Sequence, residues 1–494
     1  MFFGKRTISI LISFLIILAF TGILYLTNNS ENRLKVDNVS AQTSAEWYMA
    51  GANPQRTSWV TSGIIPNPNN LVWWKTFSAF IPHKVQIIGS GDFVYVSAAD
   101  GLHALRYDTG AEAWLYRTDM PVGHSPTIVN NVAYFGAYDR KIHAVNATTG
   151  TKIWTFQGRR GFDNNPLVIN GALYTGGRDG YFYKLNATNG SLIWEFRLET
   201  PLSYSPAIKN NILYFGGQNS HAYALKDNGT SATMLWDKLM PGHGFGAFWP
   251  VIYGNYVIFA GNHNYGVTHS PYDKTISIDL MDPAWPQPAA EGAILGPYVN
   301  GNWVRADTAY NLFKSNPHLR TVFILDSQTG NESEVAPFLW NGNEGMETRF
   351  PPVIGKDNLV YMDAGMIFEA AIPFARVLGW KPDTPNLLYY PYTGGGEAID
   401  KPGAIASGGD YIYLSDNRGK GHKLININGG GSRNIVTFPD GYSAGLAKFK
   451  YGIPKEGSTP GSGSFDTHGL QNPPIPFRGR VYFHHTNSVF SYGL

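Results

Sequence analysis

The stretch Ala144-Val145-Asn146-Ala147-Thr148-Thr149-Gly150-Thr151-Lys152-Ile153-Trp154 reads as a strand end, a glycine turn and a second strand that closes on a tryptophan. Forty residues on, the same order returns as Lys184-Leu185-Asn186-Ala187-Thr188-Asn189-Gly190-Ser191-Leu192-Ile193-Trp194. Working outward, tryptophans recur at Trp74, Trp114, Trp154, Trp194 and Trp236, with gaps of 40, 40, 40 and 42 residues. Tyrosines keep step at Tyr95, Tyr134, Tyr174 and Tyr214, and small pairs follow them at Ser97-Ala98, Gly136-Ala137, Gly176-Gly177 and Gly216-Gly217. Third strands read His103-Ala104-Leu105, His143-Ala144-Val145, Tyr183-Lys184-Leu185 and Tyr223-Ala224-Leu225. The turns after them end on Gly110, Gly150, Gly190 and Gly229, where glycine permits positive φ. A fixed period of this size denotes a repeat architecture, and four short strands in about 40 residues make one propeller blade. A blade cannot bury its own faces, so one large ring per unit is expected to dock on the next unit. The small residues are expected to make room for it.

Beyond Leu239 the pattern thins but continues. Phe248–Ile252 and Asn255–Ala260 read as the first strands of a fifth unit, completed by Val322–Asp326 and Glu334–Trp340 after an insertion near 262–318. A sixth unit starts at Pro351-Pro352-Val353-Ile354, a seventh holds Tyr411–Leu414, and an eighth holds Val481–Phe483 and Ser488–Tyr492. The eighth lacks its tryptophan strand, and the orphan strand 71–77, carrying Trp74, is expected to supply it. Closing a ring with the two chain ends leaves no open edge. The expected fold is therefore all-β, an eight-bladed β-propeller over residues 46–494, with seven blades as the alternative if 351–400 is not a unit. A second insertion is expected near 442–472.

Residues 144–154 and their registers resemble the tryptophan-docking repeat of quinoprotein-like β-propellers. That group includes pyrroloquinoline-quinone dehydrogenases and a non-enzymatic outer-membrane-protein assembly factor. The resemblance covers residues 72–240. It implies a propeller fold, and for the enzymes of the group an axial quinone held with calcium, an acidic base and often adjacent cysteines. This chain has no cysteine, and no residues here match the calcium and base positions one by one. The fold is carried over and the cofactor is not; pyrroloquinoline quinone with calcium stays as the alternative.

The turns that lead into each first strand are expected to face the central axis. Their homologous slots hold His124, Asp163, Tyr204, His243, Arg349 and His468. A concave pocket with such residues suits a ligand; the competing reading is that they cap strand edges and bond one another. No spacing of histidines supports a metal site.

The chain has 494 residues, a net charge of +2 and 15% charged residues. With no basic stripe, nucleic acid is not an expected partner. The absence of cysteine excludes disulfides, thiolate metal sites and a cysteine nucleophile. Aromatics at 14%, with 56 Gly and 31 Pro, suit many short strands joined by tight turns. Lys5 and Arg6 precede an apolar run from Ile8 to Leu26, close to the roughly 20 residues that span a bilayer. Residues 1–30 are read as a transmembrane signal anchor facing the chain outward, or as a signal peptide cleaved near Ala41; residues 31–45 are a linker. The expectation is an exported, membrane-anchored propeller that serves as a scaffold for envelope proteins or glycans. The alternative is an enzyme that uses the axial pocket, as a quinoprotein-like oxidoreductase or on polysaccharides.

Overall fold

The computed structural model describes residues 46–82, 84–241, 244–261, 295–299, 302–305, 317, 322–334, 350–356, 360–363, 376–380, 386–391, 404–414, 423–426, 432–434, 473–485 and 487–494. The expected N-terminal anchor (1–30), the expected insertion 442–472 and most of 262–318 lie outside these residues; from 262–318 only residue 317 and two strands, Leu295–Val299 and Asn302–Arg305, are described. Among the described residues no helix is long and apolar enough to cross a membrane. The chain divides into two units, 1–40 and 41–494, and the fold described here is that of the second.

That unit is an all-β propeller. Its described strands fall into eight sheets of four or more antiparallel strands, built in chain order. Sheet 1 is typical: Ile88–Ser90, Phe93–Ala98, Gly101–Arg106 and Glu112–Arg117. Sheets 2, 3 and 4 repeat it over 127–157, 167–197 and 207–239. Sheet 5 joins Val251–Tyr253 and Tyr256–Ala260 to Val322–Asp326 and Glu332–Glu334. Sheet 6 spans 353–391 and is extended by the two strands of the insertion. Sheet 7 spans 406–434, with Trp59–Val60 added in parallel on its innermost strand. Sheet 8 spans 475–493, and Leu71–Thr76 is its fourth strand, paired with Ser488–Gly493.

The tryptophans dock as the repeat requires, with one correction. Trp114 and Trp154 donate their indole N–H groups to Ala147 O and Ala187 O of the following sheet, at 3.1 and 2.9 Å. Trp236 donates to Ser327 O at 3.1 Å. Tyr95, Tyr134 and Tyr214 donate their hydroxyls to those same three oxygens, each at 3.1 Å. So the Trp and Tyr registers converge on one backbone oxygen of the neighbour. In sheet 8 the equivalent ring is Trp73, not Trp74. Trp73 is 8% exposed and donates to Tyr107 O at 2.9 Å, beside Tyr482 Oη at 3.0 Å from the same oxygen. Trp74 is 43% exposed and stacks on Phe490 instead. The reason is register. The fourth strands of sheets 1–4 each carry a bulge just before the docked ring, and here it falls between Leu71 and Trp73. A one-residue slip in a strand sends every side chain to the other face.

The small pairs also serve a different neighbour from the one expected. A Cβ on Gly136, Gly176 or Gly216 would meet Phe162, Leu202 or Phe245 at 2.4–2.6 Å, all from the turn leading into the next sheet. The tryptophan is met by the turn glycines. At φ +75°, Gly190 lies against Trp154, where an added Cβ would come within 2.5 Å of the ring. Gly229 has φ +92° and open space around it. Alanine at either position costs about 1–2 kcal/mol for the left-handed backbone. Gly190→Ala is expected to lose clearly more than Gly229→Ala, because only there must an indole move; denaturant midpoints of the two variants check this.

Candidate functional site

The inner wall of the ring is occupied by the chain itself. Residues 46–60 form a strap that meets the innermost strands in chain order. Trp47 forms a two-bond bridge with Gly89 of sheet 1. Tyr48 O accepts from Ile128 N of sheet 2, Pro54 O from Ile208 N of sheet 4, and Gln55 O from Ile252 N of sheet 5. Thr57 O, Ser58 O and Val60 O accept from Ile354 N, Ser407 N and Gly409 N of sheets 6 and 7. The strap is no regular strand: Gly51, Ala52, Arg56 and Ser58 have positive φ. Its many bonds hold a backbone that would otherwise relax.

Around the strap the inward turns of successive sheets bond one another. Gln86 N donates to Ser125 Oγ, Ser125 N to Asn165 Oδ1, Asn165 N to Ser205 Oγ, and Ser205 N to Phe248 O, at 2.7–2.9 Å. Ser125 and Ser205 stand one position, and Asn165 two positions, from the slots singled out in the sequence, so edge capping is part of what the turns do.

Two of those slots come together. His124 Nε2 lies 2.9 Å from Asp163 Oδ1. The same oxygen accepts from Lys84 Nζ and Tyr138 Oη, each at 2.6 Å, and Arg178 stands 3.8 Å from Oδ2. His124 is 1% exposed, while the Arg178 side chain is 47% exposed, so the cluster runs from the buried wall to solvent. Burial, and secondarily the Lys84 charge, lower the His124 pKa to about 4, so its ring is neutral at neutral pH. Burial works against the Asp163 charge, but the His124 hydrogen bond and the Lys84 ammonium outweigh it and hold this carboxyl well below the usual carboxylate range. With Nε2–H donating to Asp163, the lone pair sits on Nδ1, which is buried and has no hydrogen-bond partner. A carboxylate-oriented imidazole with a bare nitrogen can accept a proton or a donor group.

The depressed His124 pKa has a measurable consequence. Unfolding returns it to about 6.5, so the unfolded chain binds more protons in this interval. Its contribution to stability is complete above pH about 6.5 and is lost as pH falls toward about 4. His124→Gln is expected to flatten the stability-versus-pH profile across that interval, read from urea midpoints at a series of pH values.

Tyr204 lies elsewhere: it is fully buried, packs on Phe245 and Phe259, and donates to Ala260 O at 3.2 Å. His243, Arg349 and His468 lie outside the described residues. Lys84, Tyr138 and Arg178 were not singled out in the sequence. A faint signal was available for two of them, since Tyr138 and Arg178 sit 40 residues apart, each just after a small pair.

The strap, the docked rings and the bonded inward turns define a tryptophan-docked β-propeller. Its repeats match, over residues 66–171 and 143–268, the family model described as "Outer membrane protein assembly factor BamB". No curated protein matches the chain by sequence. Among solved structures, a quinohemoprotein alcohol dehydrogenase from Comamonas testosteroni is similar at TM-score 0.56 and 14% identity, covering 93% of this chain and 82% of that one. The quinohemoprotein alcohol dehydrogenase ADHIIG from Pseudomonas putida HK5 is similar at TM-score 0.51 and 13% identity, covering 91% and 80%. BamB from Moraxella catarrhalis gives TM-score 0.49 and 13% identity, covering 86% and 99%. At such identities the likeness is one of fold.

The quinoprotein relatives raise the question of a quinone with calcium. Among the described residues no three His, Cys, Asp or Glu side chains converge as metal ligands, and the strap covers the inner strands. The described residues do not fit that group, and no chemistry is derived through it.

Proposed function

We propose that this chain is an exported, envelope-associated propeller that binds protein partners as an assembly scaffold. The observation that carries this reading is the strap. The inner strands of six sheets are bonded to the chain's own residues 46–60, which favours recognition on outer surfaces. The outermost strands offer exposed apolar side chains there: Trp74, Ile153, Leu192, Leu235 and Leu239. The family description, an outer membrane assembly factor, supports partners of this kind and a location outside the cytoplasm. Anchoring through residues 1–30 belongs to the same reading. The blade number belongs here too: eight is the number expected from the sequence, and seven is the alternative if 351–400 is not a unit.

The test places a photo-crosslinking residue at position 239 or 153 in the producing cells. Specific protein adducts in the envelope fraction, abolished by Leu239→Glu, are expected. A chain recovered only from the cytosol, or one crosslinked to glycan alone, would defeat the proposal.

A second reading, an enzyme using the ring's inner face, is favoured by the bare Nδ1 of His124 beside Asp163 and Lys84. In that reading His124 is the proton acceptor, Asp163 fixes its tautomer, and Arg178 draws an anionic substrate. Turnover of an envelope polysaccharide or an alcohol, lost in His124→Gln, would install this reading in place of the first.

A further inference from the structure

Arg56 is completely buried, 0% exposed, at the middle of the strap. Three of its N–H groups reach backbone carbonyls: Nε to Pro206 O at 3.0 Å, Nη2 to Asn165 O at 3.0 Å, and Nη1 to Ala50 O. Carbonyl dipoles solvate a guanidinium, but they carry no net charge. No carboxylate pairs with Arg56 among the described residues. Among the described residues the one ionisable group acting on it is Tyr48, and burial lowers the Arg56 pKa to about 9. An isolated charge in such a place is costly unless an opposite charge meets it.

The groups around it are also donors without acceptors. Trp249, 1% exposed, lies under the guanidinium at 5.7 Å, and its Nε1–H has no partner. Gln86, 1% exposed, uses Oε1 to accept from Trp47 Nε1 at 2.9 Å and from Gly51 N at 3.0 Å. Both of those groups can only donate, so the amide orientation is fixed chemically. Its Nε2 is left buried with no acceptor. Gly51 ties the three together. It is bonded to Gln86, and a Cβ there would stand 3.0 Å from Trp249 Nε1 and 3.1 Å from Arg56 Cδ.

We propose that Arg56, Trp249 and Gln86 form a buried site for a small monovalent anion of the halide class on the inner wall of the ring. One unpaired positive charge calls for one negative charge. Two orphaned N–H donors supply the directional contacts, and complete burial excludes anything that carries a substituent. The bound anion completes the strap's seat, so its occupancy reports on the closure of the ring. This inference is independent of the scaffold and enzyme readings.

The whole chain, exchanged into sodium gluconate, is titrated with sodium bromide at constant ionic strength while its thermal midpoint is followed. A saturable rise is expected. Crystals grown with bromide are expected to show an anomalous peak within hydrogen-bond distance of Trp249 Nε1 and Gln86 Nε2. Trp249→Phe keeps the ring and removes one donor, and is expected to raise the bromide needed for half the effect at least about tenfold. Gln86→Glu keeps the oxygen that serves Trp47 and Gly51 and brings its own negative charge. It is expected to melt higher than wild type in gluconate and to ignore bromide. A wild-type midpoint flat across the titration, or a water in place of the bromide peak, would overturn the site.

Discussion

Trp73→Ala is expected to lower the stability of the propeller by about 3–5 kcal/mol, the range for truncating a buried tryptophan. Trp74→Ala, one residue on, is expected to cost less than about 1 kcal/mol. The two rings differ in what they touch. Trp73 fills the joint between sheets 8 and 1, with Gly110 against its face and Tyr107 O on its N–H. Its loss leaves a cavity and opens the joint made by sequence-distant strands. Trp74 faces outward over Phe490, and alanine there gives up a stacking contact at the surface rather than a buried joint. Urea unfolding of both variants separates them. Equal midpoints would place the closing contact somewhere other than Trp73.

The second large effect concerns the joint between sheets 3 and 4. The third-strand position that faces the docked tryptophan holds Ala104, Ala144 and Ala224 in sheets 1, 2 and 4, but Lys184 in sheet 3. Its ammonium crosses to Asp227 of sheet 4, 2.7 Å from Oδ2, with both side chains 8% exposed. Asp227 replaces the backbone acceptor of the other joints: Trp194 Nε1 donates to its Oδ1 at 3.1 Å and Tyr174 Oη to its Oδ2 at 2.7 Å. Burial opposes the Asp227 charge, and Lys184 with the two ring donors overcomes it and lowers the pKa. Asp227→Ala strands a buried ammonium and is expected to cost about 3–5 kcal/mol. Lys184→Ala with Asp227→Ala restores the residues of the sheet 2 to sheet 3 joint, Ala144 and Ala187. The double variant is expected to recover most of that loss, because the backbone oxygen of residue 227 can again take both donors. A double-mutant cycle in urea measures the coupling. Additive losses would mean that the pair is not a unit.

The repeat was legible because each of its marks reports one environment met again every 40 residues or so. Trp, Tyr and turn glycine each serve one joint, and the joints are alike. The choice between Trp73 and Trp74 was hidden, since counting 40 residues back from Trp114 lands on Trp74 and only the bulge at Leu71–Trp73 corrects the register. The pairing of His124 with Asp163 follows from homologous slots in adjacent sheets. Lys84 joins them from a loop with no mark of its own, and Tyr138 from one marked only by the small pair before it. The strap left no trace in the pattern: it is aperiodic, and Arg56 finds its carbonyls 109 and 150 residues away. Lys184 was visible as an exception in the third-strand series, yet its partner was legible only as a turn residue. Asp227 had the ordinary look of turn chemistry, and only the fold shows that its carboxylate does the work of a main-chain oxygen.

The strap also sets a limit on how such a chain can evolve. Tandem repeats of near-identical length invite unequal recombination, which adds or drops whole units. Here, residues 47–60 touch the inner strands of sheets 1, 2, 4, 5, 6 and 7 in turn, through assigned backbone atoms. Gaining or losing a repeat would change the inner circumference while the strap stayed the same length, and its contacts past that point would fall out of step. The strap therefore acts as a ruler for the number of repeats, and any lineage that altered the count would have to rewrite this short segment at the same time.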